Sequence, residues 1–412
     1  MKTIVFIGLN KSGSSRDAVK AAVQLGYCTV VYTNNKKQIE QRKDYPEINQ
    51  LIYLETLTIG EIKKANTLLQ LKGFEILAIT SFVDQYVYIA SKLADEFCEN
   101  VLSSEAIYVM ENKSETRKFF EGKPYTPNFL IFEKNNSFPL ERLIDKLKFP
   151  IMVKCAMSTG SKDVLYSSSL QELKKNFAQL KRKNPDETYI FEEYVEGDQY
   201  LVEVLVYNDE IKTAAIIKQE ITRGERFIIT GYNLIAEIDS TFEKGIKEVL
   251  TSIVESLKIK NGTFHIEMRL TQYGWKLIEI NPRISGGSMN RMIQAAYGYN
   301  LVEETLKMLT GETPSLEKRT NKFSCTKHII IDKKGVLKKV TGKKAALQIP
   351  GIVEVYIKPR KGTLLTPPLS MGHRYAYVIA IGDTMEEAER IAKDAANKIR
   401  FHLIEEEPLK ND

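Results

Sequence analysis

Two short segments carry the residues best suited to chemistry: Phe264-His265-Ile266-Glu267-Met268-Arg269 and Leu277-Ile278-Glu279-Ile280-Asn281-Pro282-Arg283. Each alternates apolar and polar residues, the period of a strand with one face in a core and the other open to a site. His265, Glu267 and Arg269 share a face of the first. Glu279 and Asn281 share a face of the second. Laid side by side, the two strands bring together two carboxylates and an amide, with Arg283 just beyond. Hard oxygen donors of this kind suit Mg²⁺, which keeps several waters and takes further ligands from phosphates. A neighbouring cation suits a transferring phosphoryl group. The plain alternative is a pair of amphipathic strands with solvated charges.

Other candidate groups lie upstream and downstream. Lys154 ends an apolar run and is followed by Ser158-Thr159-Gly160-Ser161-Lys162. A small glycine-containing loop lets backbone N–H groups approach phosphate oxygens, and a lysine adds a point charge. A surface loop after a strand would look the same. Lys113, in Asn112-Lys113-Ser114-Glu115-Thr116-Arg117, stands at a helix start, where a lone lysine is usually solvated. Ile190-Phe191-Glu192-Glu193-Tyr194-Val195-Glu196-Gly197 is an apolar strand running into an acidic turn. Backbone groups at such an edge can hydrogen-bond a purine while Val195 packs on its face. Ser285-Gly286-Gly287-Ser288 opens a helix whose N-terminus favours an anion; a glycine-rich cap is the simpler reading. No convincing Ser/His/Asp or Cys/His set is present, and Cys155 beside Lys154 reads as a buried bystander.

The elements that must position these groups follow from periodicity. Residues 1–105 alternate strands (3–8, 29–33, 51–54, 76–80) with helices (14–25, 59–72, 84–97), which implies a parallel sheet covered on both faces. Gly8 and Gly13 flank the first turn without the Gly-x-Gly-x-x-Gly spacing, so a structural turn is favoured over a dinucleotide site. Residues 106–145 read as a linker with a helix over 112–120. Residues 146–207 read as a small α/β lid, with strands at 151–154, 189–193 and 200–206 and a helix at 169–182. Residues 208–310 form a larger sheet bearing the acidic residues. Residues 311–412 form a further α/β piece, with a hairpin at 323–331 and 335–340, a strand at 375–381 and a helix at 384–399 capped by Asp383 or Thr384.

The 412 residues are 43% hydrophobic and 27% charged, ordinary for a soluble protein of two to four domains. No apolar run approaches a membrane span, and the N-terminus reads as a strand rather than a secretion signal. Cys28, Cys98, Cys155 and Cys325 lack metal-type spacing and fit reduced thiols, so a cytoplasmic location is expected. The net charge of +6 is spread among acidic residues, so no nucleic-acid partner is indicated.

Taken in order, Lys113, Lys154 with its glycine loop, Glu192-Glu193-Tyr194-Val195, Glu267 and Glu279-x-Asn281-x-Arg283 resemble the ATP-grasp superfamily over nearly the whole chain. Within it the chain looks most like bacterial L-amino-acid ligases, which make dipeptides. An arginine-accepting member of a phosphonate-oligopeptide antibiotic pathway is one option. The resemblance implies ATP as substrate and two Mg²⁺ or Mn²⁺ ions held by Glu267, Glu279 and Asn281. Lys113 and Lys154 would contact phosphates, and the loop with Ser158, Gly160 and Ser161 would close over them. Glu192, Glu193 and Val195 would receive the adenine. Arg283 would stabilise the transferred phosphoryl group, and His265, Gly286 and Gly287 would lie near the substrate. Two departures stand out: Asn112 where many relatives have Asp, and Gln199 where many have an acidic residue for the ribose.

The implied reaction has two steps. A carboxylate attacks the γ-phosphate of ATP, and the amine of a second amino acid then attacks the acyl phosphate. The lid and a flap around 218–233 would shield that intermediate from water. Competing readings are a ligase or carboxylase with another acceptor and a nucleotide-binding regulatory protein without turnover. Related enzymes are often homodimers, and the oligomeric state stays open.

Overall fold

Apolar runs rich in Val and Ile build the first sheet. Strands β1 (Lys2–Ile7), β2 (Cys28–Thr33), β3 (Gln50–Tyr53) and β4 (Glu75–Thr80) run parallel in the order β3-β2-β1-β4. Helix Ser14–Gln24 packs with Ile4 and Phe6 on one face, while Ile59–Leu71 and Val87–Phe97 pack with Val5 and Ile7 on the other. The computed structural model describes residues 1–99, 103–134, 140–143, 145–156, 163–223 and 227–404.

A second sheet, antiparallel, consists of β5 (Phe129–Phe132), β6 (Ile151–Cys155), β7 (Val164–Ser167) and β8 (Tyr189–Glu193) in the order β5-β8-β6-β7. Helix Leu170–Lys183 lays Leu173, Phe177 and Leu180 on it, giving this unit its own core. Ser169 caps that helix, accepting from the Glu172 N–H. The edge strand β5 comes from residues expected to be linker.

The third sheet is large and antiparallel. It is built from β9 (Asp198–Tyr207), β10 (Glu210–Arg223), β11 (Phe227–Leu234), β12 (Gly262–Thr271), β13 (Gly274–Asn281), β14 (Phe323–Ile329), β16 (Ile352–Ile357) and β18 (Ala376–Gly382). Its order is β13-β12-β9-β10-β11-β14-β18-β16. A small sheet of β15 (Gly335–Thr341), β17 (Leu364–Leu365) and β19 (Arg400–Ile404) completes the described residues.

Three expectations are corrected here. The 200–206 strand does not belong to the lid: β9 pairs with β10 and β12, so the boundary drawn at 207 falls before Asp198 instead. The cause is visible in its side chains. Tyr200, Val202, Val204 and Val206 enter a core under helix Ser240–Ser256, whereas Leu201 and Leu205 enter the core shared with helix Met289–Tyr297. A strand apolar on both faces needs both faces covered, and only the large sheet provides that. Second, 323–331 and 335–340 are not a hairpin. Both edges of β14 are taken, by β11 and β18, so β15 must pair elsewhere, with β17 and β19. Third, the piece after 310 is not separate, because β14, β18 and β16 continue the large sheet.

Candidate active site

β12 and β13 pair as the alternation required. His265 lies opposite Asn281, Ile266 opposite Ile280, and Glu267 opposite Glu279, with a bulge immediately after Glu267. Phe264, Ile266, Met268, Leu277 and Ile280 take the core face. The two carboxylates therefore project together from the other face, neighbours across one ladder position.

Each carboxylate has its own surroundings. Gln199 Nε2 donates to Glu267 at 2.8 Å and to Gln219 at 2.7 Å, while Arg269 Nε donates to Gln199 Oε1 at 2.9 Å. The amide expected at the ribose is thus turned toward Glu267. Asn281 Nδ2 donates to Glu279 at 3.0 Å, and Lys113 Nζ lies 3.5 Å from Glu279. Burial and the Glu279 charge together push the Glu267 carboxyl up to about 7. Burial opposes ionisation of Glu279 too, but Lys113, the Asn281 amide, His265 and Lys154 outweigh it and hold that carboxyl at about 2. Two carboxylates sharing one site divide in this way because both cannot readily ionise without a further cation.

A buried charge network backs the first lysines. Glu192 accepts from Arg117 Nε at 2.6 Å through one oxygen and from Lys154 Nζ through the other, and Arg117 Nη2 reaches the Ile278 carbonyl at 2.6 Å. Burial works against the Glu192 charge, but Arg117 and Lys154 hold its carboxyl down at about 2. The Glu192 side chain is therefore committed to these cations, and only its backbone is left to meet a base. Arg117 escaped the sequence reading. Its signal was the spacing Lys113-x-x-x-Arg117, which sets both cations on one helix face. Asn112 caps that helix, accepting from the N–H groups of Ser114 and Glu115, so its departure from Asp leaves the cap intact.

A cleft of about 230 Å³ runs between the lid sheet and the large sheet, from Lys113, Glu267 and Glu279 to an apolar end lined by Met152, Val195 and Phe227. There Tyr194 stacks on Phe227, rings 5.9 Å apart and inclined 24°. Arg269 lies 5.0 Å from the Tyr194 ring centroid and donates to the Val195 carbonyl. Glu193 anchors the turn: its side chain accepts from Asn128 Nδ2 at 3.0 Å and from the Lys148 N–H at 2.8 Å. Apolar walls with a few placed polar groups are what a flat heterocycle needs.

A second cavity, of about 370 Å³, adjoins the first and shares Tyr232, Glu267 and Met371 with it. His265, Arg283 and the 285–288 turn line it. His265 Nδ1 donates to the Arg283 carbonyl at 2.7 Å. Burial and the Arg283 charge push its imidazole down to about 4, so it stands there neutral rather than as a cation. The Arg283 guanidinium pairs with Asp84 of the first domain. Gly287 has φ +70°, a left-handed conformation that favours glycine. Glu203, another residue missed from the sequence, lies buried beneath this turn and accepts from the Ser285 N–H at 3.0 Å and from its hydroxyl. Ser158, Gly160 and Ser161 lie outside the described residues.

Among the described residues no three His, Cys, Asp or Glu side chains gather as metal ligands. The oxygen set is Glu267, Glu279 and the Asn281 amide. It is hard and made of oxygen donors alone, and this chemistry fits Mg²⁺ or Mn²⁺ better than a soft metal.

Comparison with known proteins decides the family. Residues 147–291 match the ATP-grasp domain, and residues 327–403 match the L-amino acid ligase C-terminal domain 2. The chain thus carries an ATP-grasp domain followed by an L-amino acid ligase C-terminal domain. Protein y4rH of Sinorhizobium fredii is 25% identical over 81% of this chain and 69% of its own. The L-arginine-specific L-amino acid ligase of Bacillus subtilis is 24% identical over 73% of this chain and 74% of its own. The crystal structure of L-amino acid ligase from Bacillus licheniformis superposes with a TM-score of 0.82 at 18% identity, covering 98% of this chain and 99% of that one. These relatives set this ATP-grasp chain among ATP-dependent carboxylate–amine ligases. No helix among the described residues is long and apolar enough to cross a membrane.

Proposed function

We propose that this ATP-grasp protein joins two free L-amino acids into a dipeptide through an acyl phosphate, releasing ADP and phosphate. The observation that carries the reading is the junction of the two cavities. Glu267 lines both, beside Glu279 in the nucleotide-sized cleft and beside Arg283 in the second. A terminal phosphate at that junction would meet an incoming carboxylate there.

In this reading the stacked aromatic end of the cleft receives adenine, with backbone groups of Glu192, Glu193 and Val195 on its edge. Lys113 and Lys154 contact phosphates, and Gln199 orients Glu267 rather than gripping the ribose. Divalent cations held by Glu267, Glu279 and Asn281 would offset the charge on the transferring phosphate. Arg283 steadies the phosphoryl group and then the acyl phosphate. His265, neutral, fixes the backbone of Arg283. The 285–288 turn cradles the first amino acid. The amine of the second, having given up a proton to solvent, then attacks the acyl carbon. As the tetrahedral intermediate collapses, the C–O bond to phosphorus-bound oxygen breaks, phosphate leaves with that electron pair, and the nitrogen releases a second proton to become the amide. Positioning does much of the work, and the route through an acyl phosphate requires no nucleophilic side chain.

The test is a pairwise L-amino-acid screen for ADP release with the product mass. Release that requires two amino acids, with a product at the dipeptide mass, supports the reading. Release with bicarbonate, or with a single amino acid and another amine, would replace it with a different acceptor class.

A further inference from the structure

The C-terminal part of the chain walls the second cavity with His328, Tyr356, Lys358, Arg374 and Tyr377. The charges on this wall are uneven. The lining carries three cations, Arg283, Lys358 and Arg374, against the carboxylate of Glu267, which belongs to the oxygen set already described. Asp84 neutralises Arg283. Arg374, half-buried, has only neutral partners among the described residues: the Ile229 carbonyl at 3.3 Å, the Tyr232 hydroxyl at 3.0 Å and the Met371 carbonyl at 3.3 Å. Its guanidinium lies 5.6 Å from the Tyr232 ring centroid. Lys358 likewise donates to a carbonyl, that of Gly372, at 3.0 Å.

Beside Arg374 stands His328, its ring edge-to-face between Tyr232 and Tyr377 at 5.5 and 5.7 Å. Its Nε2 is buried without a hydrogen-bond partner among the described residues. Burial and the Arg374 charge both push its proton affinity well down, so the ring is neutral and held in place. A buried polar atom left without a partner is uncommon in a folded chain. A guanidinium whose bonds all go to neutral acceptors keeps its charge for an anion.

We propose that Arg374, with His328 and Lys358, seats a substrate carboxylate other than the one that is activated. The proposal rests on the ligase reading and sharpens its substrate class. A carboxylate oxygen beside the guanidinium would gain a charge-assisted bond and would accept from His328 Nε2–H, the tautomer this seat requires. A cationic side chain would meet like charge with nothing to pair it, so L-arginine and L-lysine are poor occupants of this cavity. The carboxylate has two sources: an acidic side chain, or the α-carboxylate of the accepting amino acid.

The experiment compares aspartate and glutamate with asparagine and glutamine, and accepting amino acids with their carboxamides. Wild type, Arg374→Gln and Arg374→Lys are each assayed. Loss of one class of carboxylate should raise KM about tenfold or more in wild type, the scale of a charged hydrogen bond. That difference should vanish in Arg374→Gln and return in part in Arg374→Lys, with KM for ATP unchanged throughout. A raised KM for ATP alone would assign Arg374 to the nucleotide and overturn the proposal. So would arginine or lysine as the best substrates, indifferent to Arg374→Gln. Absence of amino-acid-dependent ADP release would instead sink the ligase reading. The seat then rests on calorimetric binding of glutarate without nucleotide. Binding that is lost in Arg374→Gln keeps the seat, and no binding, or equal binding, removes it.

Discussion

Glu279 shows how far one residue can be read. Its carboxylate lies opposite Glu267 on the ladder and is kept charged by Lys113 and Asn281, while Glu267 holds its proton up to about 7. This is an unfavourable pairing for an empty fold and a favourable one for a bound cation. Glu279→Ala should therefore cut ATP turnover by more than about 100-fold, beyond what losing a mere outer partner costs, and leave the thermal midpoint nearly unchanged. Near-normal turnover in that variant contradicts the metal assignment. Arg117 behaves in the opposite sense. It is buried and shares Glu192 with Lys154, so its removal leaves a buried carboxylate with one cation. Arg117→Met should destabilise the chain by about 3 kcal/mol in urea unfolding. A loss near that of an exposed pair, below about 1 kcal/mol, would mean that the network is well solvated.

At the level of elements, register does the positioning. A shift of one residue in β12 against β13 would send Glu267 into the core and Met268 into the cleft. That pairing was legible, because His265, Glu267, Glu279 and Asn281 alternate with Ile and Phe. The neighbour on the other side was not. Glu203 sits between Leu201 and Leu205 in a stretch, 200–206, that is otherwise apolar, and nothing local says that it faces Ser285, 82 residues on. The lid boundary was hidden for the same reason: an apolar strand does not say which sheet will cover it. Glu203 gives β9 a pH-dependent link to the 285–288 turn. Burial, partly offset by the Ser285 bonds, raises its carboxyl to about 7 from an ordinary 4.5. Between these values the unfolded chain has released the proton and the folded chain still holds it. This contribution to stability is therefore complete below about 4.5 and is lost as pH rises to about 7. In Glu203→Gln the downward slope of stability over that window should flatten. A slope as steep as in wild type would place the titrating group elsewhere.

Across the whole molecule the first sheet and the large sheet meet at Arg283. The first domain reaches it through Asp84, just after β4, and holds the neighbouring turn through Ser14, whose hydroxyl donates to the Ser285 carbonyl at 2.9 Å. Arg291, on the helix that follows the turn, pairs with Asp17 and Glu354 and ties the first domain to β16. None of these contacts was legible. Each joins residues far apart in sequence, and Asp84 read only as the first residue of a helix covering the sheet. In the proposed reading they give the first domain a task beyond filling volume, since they set the direction of the guanidinium assigned to the transferring phosphate. Asp84→Ala should then lower kcat roughly tenfold, as loss of an orienting partner does, with KM for ATP unchanged. Arg283→Ala should lower kcat further still, again without weakening ATP binding. The double variant should be no worse than Arg283→Ala alone, because Asp84 acts only through that side chain. If the two losses multiply instead, Asp84 has a role of its own at the site, and the first domain contributes more than orientation.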